Sequence, residues 1–202
     1  MAKSYYSRGW LPATAGNLSI RDQNNRSIIW ITTSGLNKGR IEPTDFIPID
    51  LETDLPIFLG SNQKPSAETS IHLTIYKNIP QVNCILHVHT VESMRCHLNL
   101  NKNQPIGFWK LPPIELIKAF GIWDENPEVY LPIIYNHSMV ENIASDLNQY
   151  FLSDNWKNMK QAIPAILVEN HGPTIWGESI EAANKHLEAL DYIFKVSIYY
   201  DK

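Results

Sequence analysis

The chain has 202 residues, 44% hydrophobic and 19% charged, a length and composition that predict one domain with an ample core and exclude a disordered tail or a minidomain. Its 17 Lys and Arg against 21 Asp and Glu give a net charge of −4, and no run of five like charges occurs, so neither nucleic acid nor an anionic membrane is the expected partner. Two cysteines, Cys84 and Cys96, are too few for a disulfide framework, and no stretch nears the roughly 18 apolar residues of a membrane span. Lys3, Arg8 and Pro12 interrupt the N-terminal region, so the expectation is a cytoplasmic protein without a signal peptide, and its partner a small molecule.

In chain order, Thr14-Ala15-Gly16-Asn17 reads as a turn. Residues 27–32 (SIIWIT) read as a strand, followed by a second polar turn, Thr32-Thr33-Ser34-Gly35, with Lys38 and Arg40 just beyond; 46–49 read as another strand. Lys64-Pro65-Ser66-Ala67 opens a helix over 66–76 that puts Ile71, His72, Ile75 and Tyr76 on one face, with Glu68 in its first turn. A strand over 82–89 leads through Thr90 into a helix over 91–98, and prolines introduce a short apolar helix within 112–120. Strands over 129–135 and 164–169 and helices over 138–151 and 180–199 complete the pattern, without repeat or linker.

The most informative segment is His87-Val88-His89. Strand side chains alternate with period two, so both imidazoles share a face and converge at the strand's carboxyl end. Two neutral imidazoles suit Zn²⁺ or a similar divalent ion, and a catalytic site needs a third ligand and an open position. His171 is the best local candidate, directly after the strand 164–169 and before Gly172, a residue that permits a sharp turn. His137 is its competitor. His72 and His186 fall mid-helix as packing or solvent contacts, and His97 ends the helix 91–98.

The three polar turns each offer amide groups and hydroxyls of the kind a phosphate needs, though none matches a P-loop or a dinucleotide fingerprint. Among the carboxylates, Glu115 lies in the apolar segment Ile114-Glu115-Leu116-Ile117-Lys118-Ala119-Phe120. It is expected to be partly desolvated and more basic, against the alternative of a surface pair with Lys118. Glu68 either reaches the site or complements its helix dipole.

Taken together, Arg8-Gly9-Trp10-Leu11-Pro12-Ala13-Thr14-Ala15-Gly16-Asn17, Thr32-Thr33-Ser34-Gly35, Lys64-Pro65-Ser66-Ala67-Glu68-Thr69, His87-Val88-His89-Thr90, Glu115-Leu116-Ile117-Lys118-Ala119-Phe120 and His171-Gly172-Pro173-Thr174 occur in the order seen in the class II aldolase/adducin superfamily. The chain resembles that superfamily from about Tyr6 to Tyr192. The resemblance implies a single three-layer α/β/α domain over 1–202 with a largely antiparallel central sheet, assembled as a homotetramer with sites near subunit interfaces. It implies one Zn²⁺ per subunit on His87, His89 and His171, which removes His137 as a ligand. Asn17, Ser34, Gly35 and Ser66 are the implied phosphate contacts, with Glu68 beside the substrate. The scaffold hosts several chemistries: aldolases place their acid/base at Glu68, dehydratases at Glu115. The wording of the motifs favours the dehydratases. The implied reaction is loss of water from a small phosphorylated ketose, 5-methylthioribulose 1-phosphate, to 2,3-diketo-5-methylthiopentyl 1-phosphate, a step of methionine salvage; Phe108-Trp109 would receive the methylthio group. The alternatives are a sugar-phosphate aldolase or epimerase and, in another class, a metal-free adducin-like binding module.

Overall fold

The computed structural model describes residues 1–60 and 62–200; Ser61, Asp201 and Lys202 of the expected 1–202 domain lie outside the described residues. Among the described residues eight strands form one sheet: β1 Asn17–Arg21, β2 Ile28–Thr32, β3 Phe46–Asp50, β4 Cys84–His87, β5 Ile106–Lys110, β6 Tyr130–Ile134, β7 Ala165–Val168 and β8 Gly172–Gly177. Their spatial order is β3-β2-β1-β4-β8-β7-β6-β5. Every neighbouring pair is antiparallel except β6 with β7, so the sheet is largely antiparallel as expected.

Helices cover both faces. Strand alternation sends Cys84, Leu86 and Ile175 to one side, where α5 (Ile180–Ser197) lays down Ala183, Leu187, Leu190, Ile193 and Phe194. Ile85, Ile166, Val168 and Trp176 face the other side and pack with α2 (Thr69–Asn78) and α3 (Val140–Leu152). Two short helices, α1 (Ala2–Ser7) and α4 (Asp154–Lys157), complete the layers. Among the described residues no helix is long and apolar enough to cross a membrane.

All five expected strands and three long expected helices are present with shifted ends. Three strands escaped the sequence reading. β1 is one of them, because its α2-facing side is polar: Ser19 Oγ bonds His72 Nδ1 at 2.7 Å and Tyr76 OH at 3.0 Å, and Arg21 donates to the carbonyls of Tyr76 and Val82. A strand whose inward face carries a buried hydrogen-bond network shows no apolar run. The strand expected over 82–89 contracts to β4, and the helix expected over 91–98 contracts to a 3-10 turn, Glu92–Arg95. Buried Glu169 takes the amides of Leu98 at 2.5 Å and Leu100 at 2.9 Å, which removes them from any helical ladder.

Candidate metal centre

β4 occupies the middle of the sheet, and His87 is its last residue. In register, His87 stands between Asn17 of β1 and Thr174 of β8, and it shares the α2 face with Ile85. Close strand approach here requires glycine on both sides. A Cβ on Gly16, whose φ is +76°, would lie 2.8 Å from the His87 carbonyl, and one on Gly172 would collide with the Val88 carbonyl. Gly172 thus opens β8 without turning the chain; the left-handed residue of the β7–β8 turn is Asn170, at φ 55°.

The His87 ring is buried and its Nδ1 lies 3.0 Å from the Pro173 carbonyl oxygen, with Thr174 Oγ1 at 3.2 Å. A carbonyl only accepts, so Nδ1 carries the hydrogen and Nε2 presents its lone pair. That lone pair faces His89 Nε2 at 3.0 Å. His89 lies beyond the end of β4, and its amide donates to the Trp10 carbonyl at 2.8 Å, so the Arg-Gly-Trp segment holds the second histidine in place. His171, in the β7–β8 turn, closes the triangle: ring centroids are 5.0 Å from His87 and 4.7 Å from His89. One nitrogen from each of the three rings lies within 4.8 Å of the others.

Glu68 completes the cluster. It sits at the N-cap of α2 without making a side-chain cap bond. Its carboxylate turns inward instead, with Oε2 3.2 Å from His87 Nε2 and Oε1 3.0 Å from His171 Nε2, and it accepts from the Asn17 amide. Burial works to raise the Glu68 carboxyl's pKa, but the facing His87 and His171 rings and the Asn17 amide outweigh it and hold the group below the usual carboxylate range. Burial lowers His87, and burial with the neighbouring rings lowers His89 to about 3. Imidazole nitrogens from three rings and one carboxylate thus converge on one point. Asn17 Oδ1, on the residue whose amide meets Glu68, is buried with no hydrogen bond. Such a donor set fits a divalent cation.

The turns expected to hold a phosphate come together beside this cluster. Thr33 bridges Pro65, the Ser34 amide donates to the Lys64 carbonyl, and the Ser66 amide donates to Thr32. Two expected donors, the amides of Ser34 and Ser66, are therefore already engaged. Lys38 is buried beneath, donating to the carbonyls of Thr14 and Leu36 at 3.2 Å each.

Glu115 is a different matter. It begins a 3-10 turn, Glu115–Phe120, whose Ile117 joins the core on the α5 face, across the sheet from the α2 face that His87 shares with Ile85. The expected desolvation is corrected: the side chain is 82% exposed and paired with Lys118 at 2.9 Å, because only the Ile117 side of this turn packs inward. Phe108 and Trp109 are on β5 at the sheet edge, packed on Tyr150 and Phe194 respectively, and do not meet the triad. His72 and His186 hydrogen-bond Ser19 and the Trp176 carbonyl, as packing histidines do. His97 is exposed beyond the 3-10 turn. Sequence reasoning missed Trp10, Pro173 and Thr174 as supports of the triad; the signal for Thr174 was its register opposite His87, legible only once β8 is recognised as a strand.

The family model described as Class II Aldolase and Adducin N-terminal domain matches residues 1–198. The chain is 45% identical over 192 residues to a methylthioribulose-1-phosphate dehydratase of Leptospira biflexa serovar Patoc, covering 95% of this chain and 90% of that one. It is 38% identical over 195 residues to a protein of the same name from Microcystis aeruginosa, covering 96% and 89%. Among solved structures, an L-fuculose-1-phosphate aldolase from Thermus thermophilus superposes with a TM-score of 0.70 at 20% identity, covering 98% and 90%, a likeness of fold.

Proposed function

Because the chain belongs to the class II aldolase and adducin N-terminal domain family, we propose that it is a cytoplasmic, zinc-dependent hydro-lyase that converts 5-methylthioribulose 1-phosphate to 2,3-diketo-5-methylthiopentyl 1-phosphate and water in methionine salvage. The observation that carries this reading is the open three-histidine cluster in a chain 45% identical to a dehydratase of that name. A divalent ion on His87, His89 and His171 supplies the Lewis acidity that makes a carbon next to a carbonyl acidic. Glu115 takes the C3 proton and returns a proton to the C4 hydroxyl as the C4–O bond breaks; water leaves and the enol tautomerises to the diketone. The phosphate rests on the turns of Asn17, Ser34-Gly35 and Ser66, which fixes the reacting carbons in register.

Glu115 stands across the sheet from the triad of its own protomer, with its carboxylate exposed. In this reading it serves the triad of an adjacent copy in a homotetramer, one Zn²⁺ and one intersubunit site per chain. Glu68 supports a second reading, since its carboxylate lies 3.0 Å from His171 Nε2 in the position an aldolase acid/base would take. Product analysis separates the two. The purified zinc protein incubated with 5-methylthioribulose 1-phosphate yields the diketone; cleavage to dihydroxyacetone phosphate would assign the site to an aldolase instead.

A further inference from the structure

A cavity of about 640 Å³ opens beside His89 and His171. Pro12, Val91, Met94, Val140 and Ile143 give it an apolar wall, and His137 lines it as well. The His137 ring is fixed at two places: its Nε2 lies 2.7 Å from Asp146 Oδ2 on α3, with both side chains largely buried, and the Tyr135 ring meets it edge-on at 4.8 Å between centroids. An ionised carboxylate only accepts, so Nε2 carries the hydrogen and a neutral ring keeps Nδ1 as an acceptor. Among the described residues Nδ1 has no hydrogen-bond partner. A ring whose tautomer is set by a carboxylate, in a cavity shared with two rings of the triad, is built to receive a hydroxyl.

The proposed substrate has hydroxyls on C3 and C4 alone. The C3 group adjoins the carbonyl and belongs with the triad, while the phosphate end belongs with the Ser34-Gly35 side. We infer that His137, oriented by Asp146, accepts a hydrogen bond from the C4 hydroxyl, and that the apolar wall formed by Val91, Met94, Val140 and Ile143 takes the alkylthio tail. With its hydrogen committed to His137, the leaving oxygen turns its lone pairs toward the acid. This inference rests on the dehydratase reading.

The test uses the zinc-loaded Glu115→Gln protein, in which ligand binds without turning over, and calorimetry with 5-methylthioribulose 1-phosphate and its 4-deoxy analogue. Adding His137→Ala weakens the first ligand about 10-fold, the worth of one hydrogen bond in a closed site, and leaves the 4-deoxy analogue unchanged. Asp146→Asn, which preserves both side-chain volumes, gives a smaller loss with the same ligand selectivity and carries the comparison if the alanine variant does not fold. Equal weakening of both ligands, or no weakening, overturns the inference while leaving the dehydratase reading in place. A Glu115→Gln parent that binds neither ligand overturns both.

Discussion

His87 Nδ1 lies 3.0 Å from the carbonyl oxygen of Pro173, and this bond decides which nitrogen of His87 faces the cluster. The main chain of β8 thereby sets the tautomer of a side chain on β4, so the ligand lone pair is in place before any cation arrives. His171 comes from the turn just before the same strand. Replacing His171 by Ala should reduce bound zinc from one equivalent to near zero by elemental analysis. Loading at about 100 times Kd should stabilise the parent by about 2.7 kcal/mol, and the variant should show no such rise in thermal midpoint. Full zinc occupancy in His171→Ala would point to another third ligand.

The separation of Glu115 from His87 by the sheet gives a complementation prediction. Glu115→Gln has an intact triad and His171→Ala an intact Glu115, so each alone should be inactive. Unfolded together and refolded as mixed oligomers, they should recover about a quarter of parental activity by random assortment across two-subunit sites. Mixed oligomers as inactive as either parent would place the proton shuttle within one protomer.

How far the site was legible in the sequence depended on whether its parts were local. Period-two alternation alone put His87 and His89 on one face, and its place directly after the strand 164–169 singled out His171, because these are properties of short segments. Glu68 was visible but undecided between a cap and a site residue; the missing cap bond and the inward turn of its carboxylate belong to the tertiary fold. Asp146 had no signal at all, since an acidic residue on an amphipathic helix looks the same whether it meets water or His137. The burial expected for Glu115 failed for a similar reason. An apolar segment shows that one side packs, as Ile117 does, and does not say which side the carboxylate takes.

Gly172 connects packing to the metal centre. Its α-carbon faces the Val88 carbonyl so closely that a Cβ has no room. Gly172→Ala must push β8 away from the His-x-His backbone, at a cost of about 1–3 kcal/mol as for other overpacked sites, and it must move Pro173 relative to His87 Nδ1. Urea midpoints should fall, and zinc affinity should fall about 10–100-fold as for other lost outer-shell partners. Gly121→Ala offers a control, since nothing lies within 4 Å of a Cβ there, although its φ of +81° makes that change strained too. Its loss of stability should therefore leave zinc affinity unaltered.

The pH dependence of the metal-free protein follows from His72, which is fully buried on α2 and held near pKa 3, first by burial and then by the neighbouring His87. Its folded-state pKa lies below the ordinary value of 6.5, so between these limits the unfolded chain binds the extra proton. Stability should therefore be fully present above pH 6.5 and decline as pH falls, by at most about 1.4 kcal/mol per pH unit for this one histidine. Urea melts of the apo protein at several pH values from neutral to mildly acidic measure the slope. His72→Leu should flatten it by up to that amount, because Ser19 keeps its 3.0 Å bond to Tyr76 and nothing at position 72 remains to be protonated. An unchanged slope would mean that His72 titrates alike in both states, and the acid sensitivity would then fall to His87 and His89.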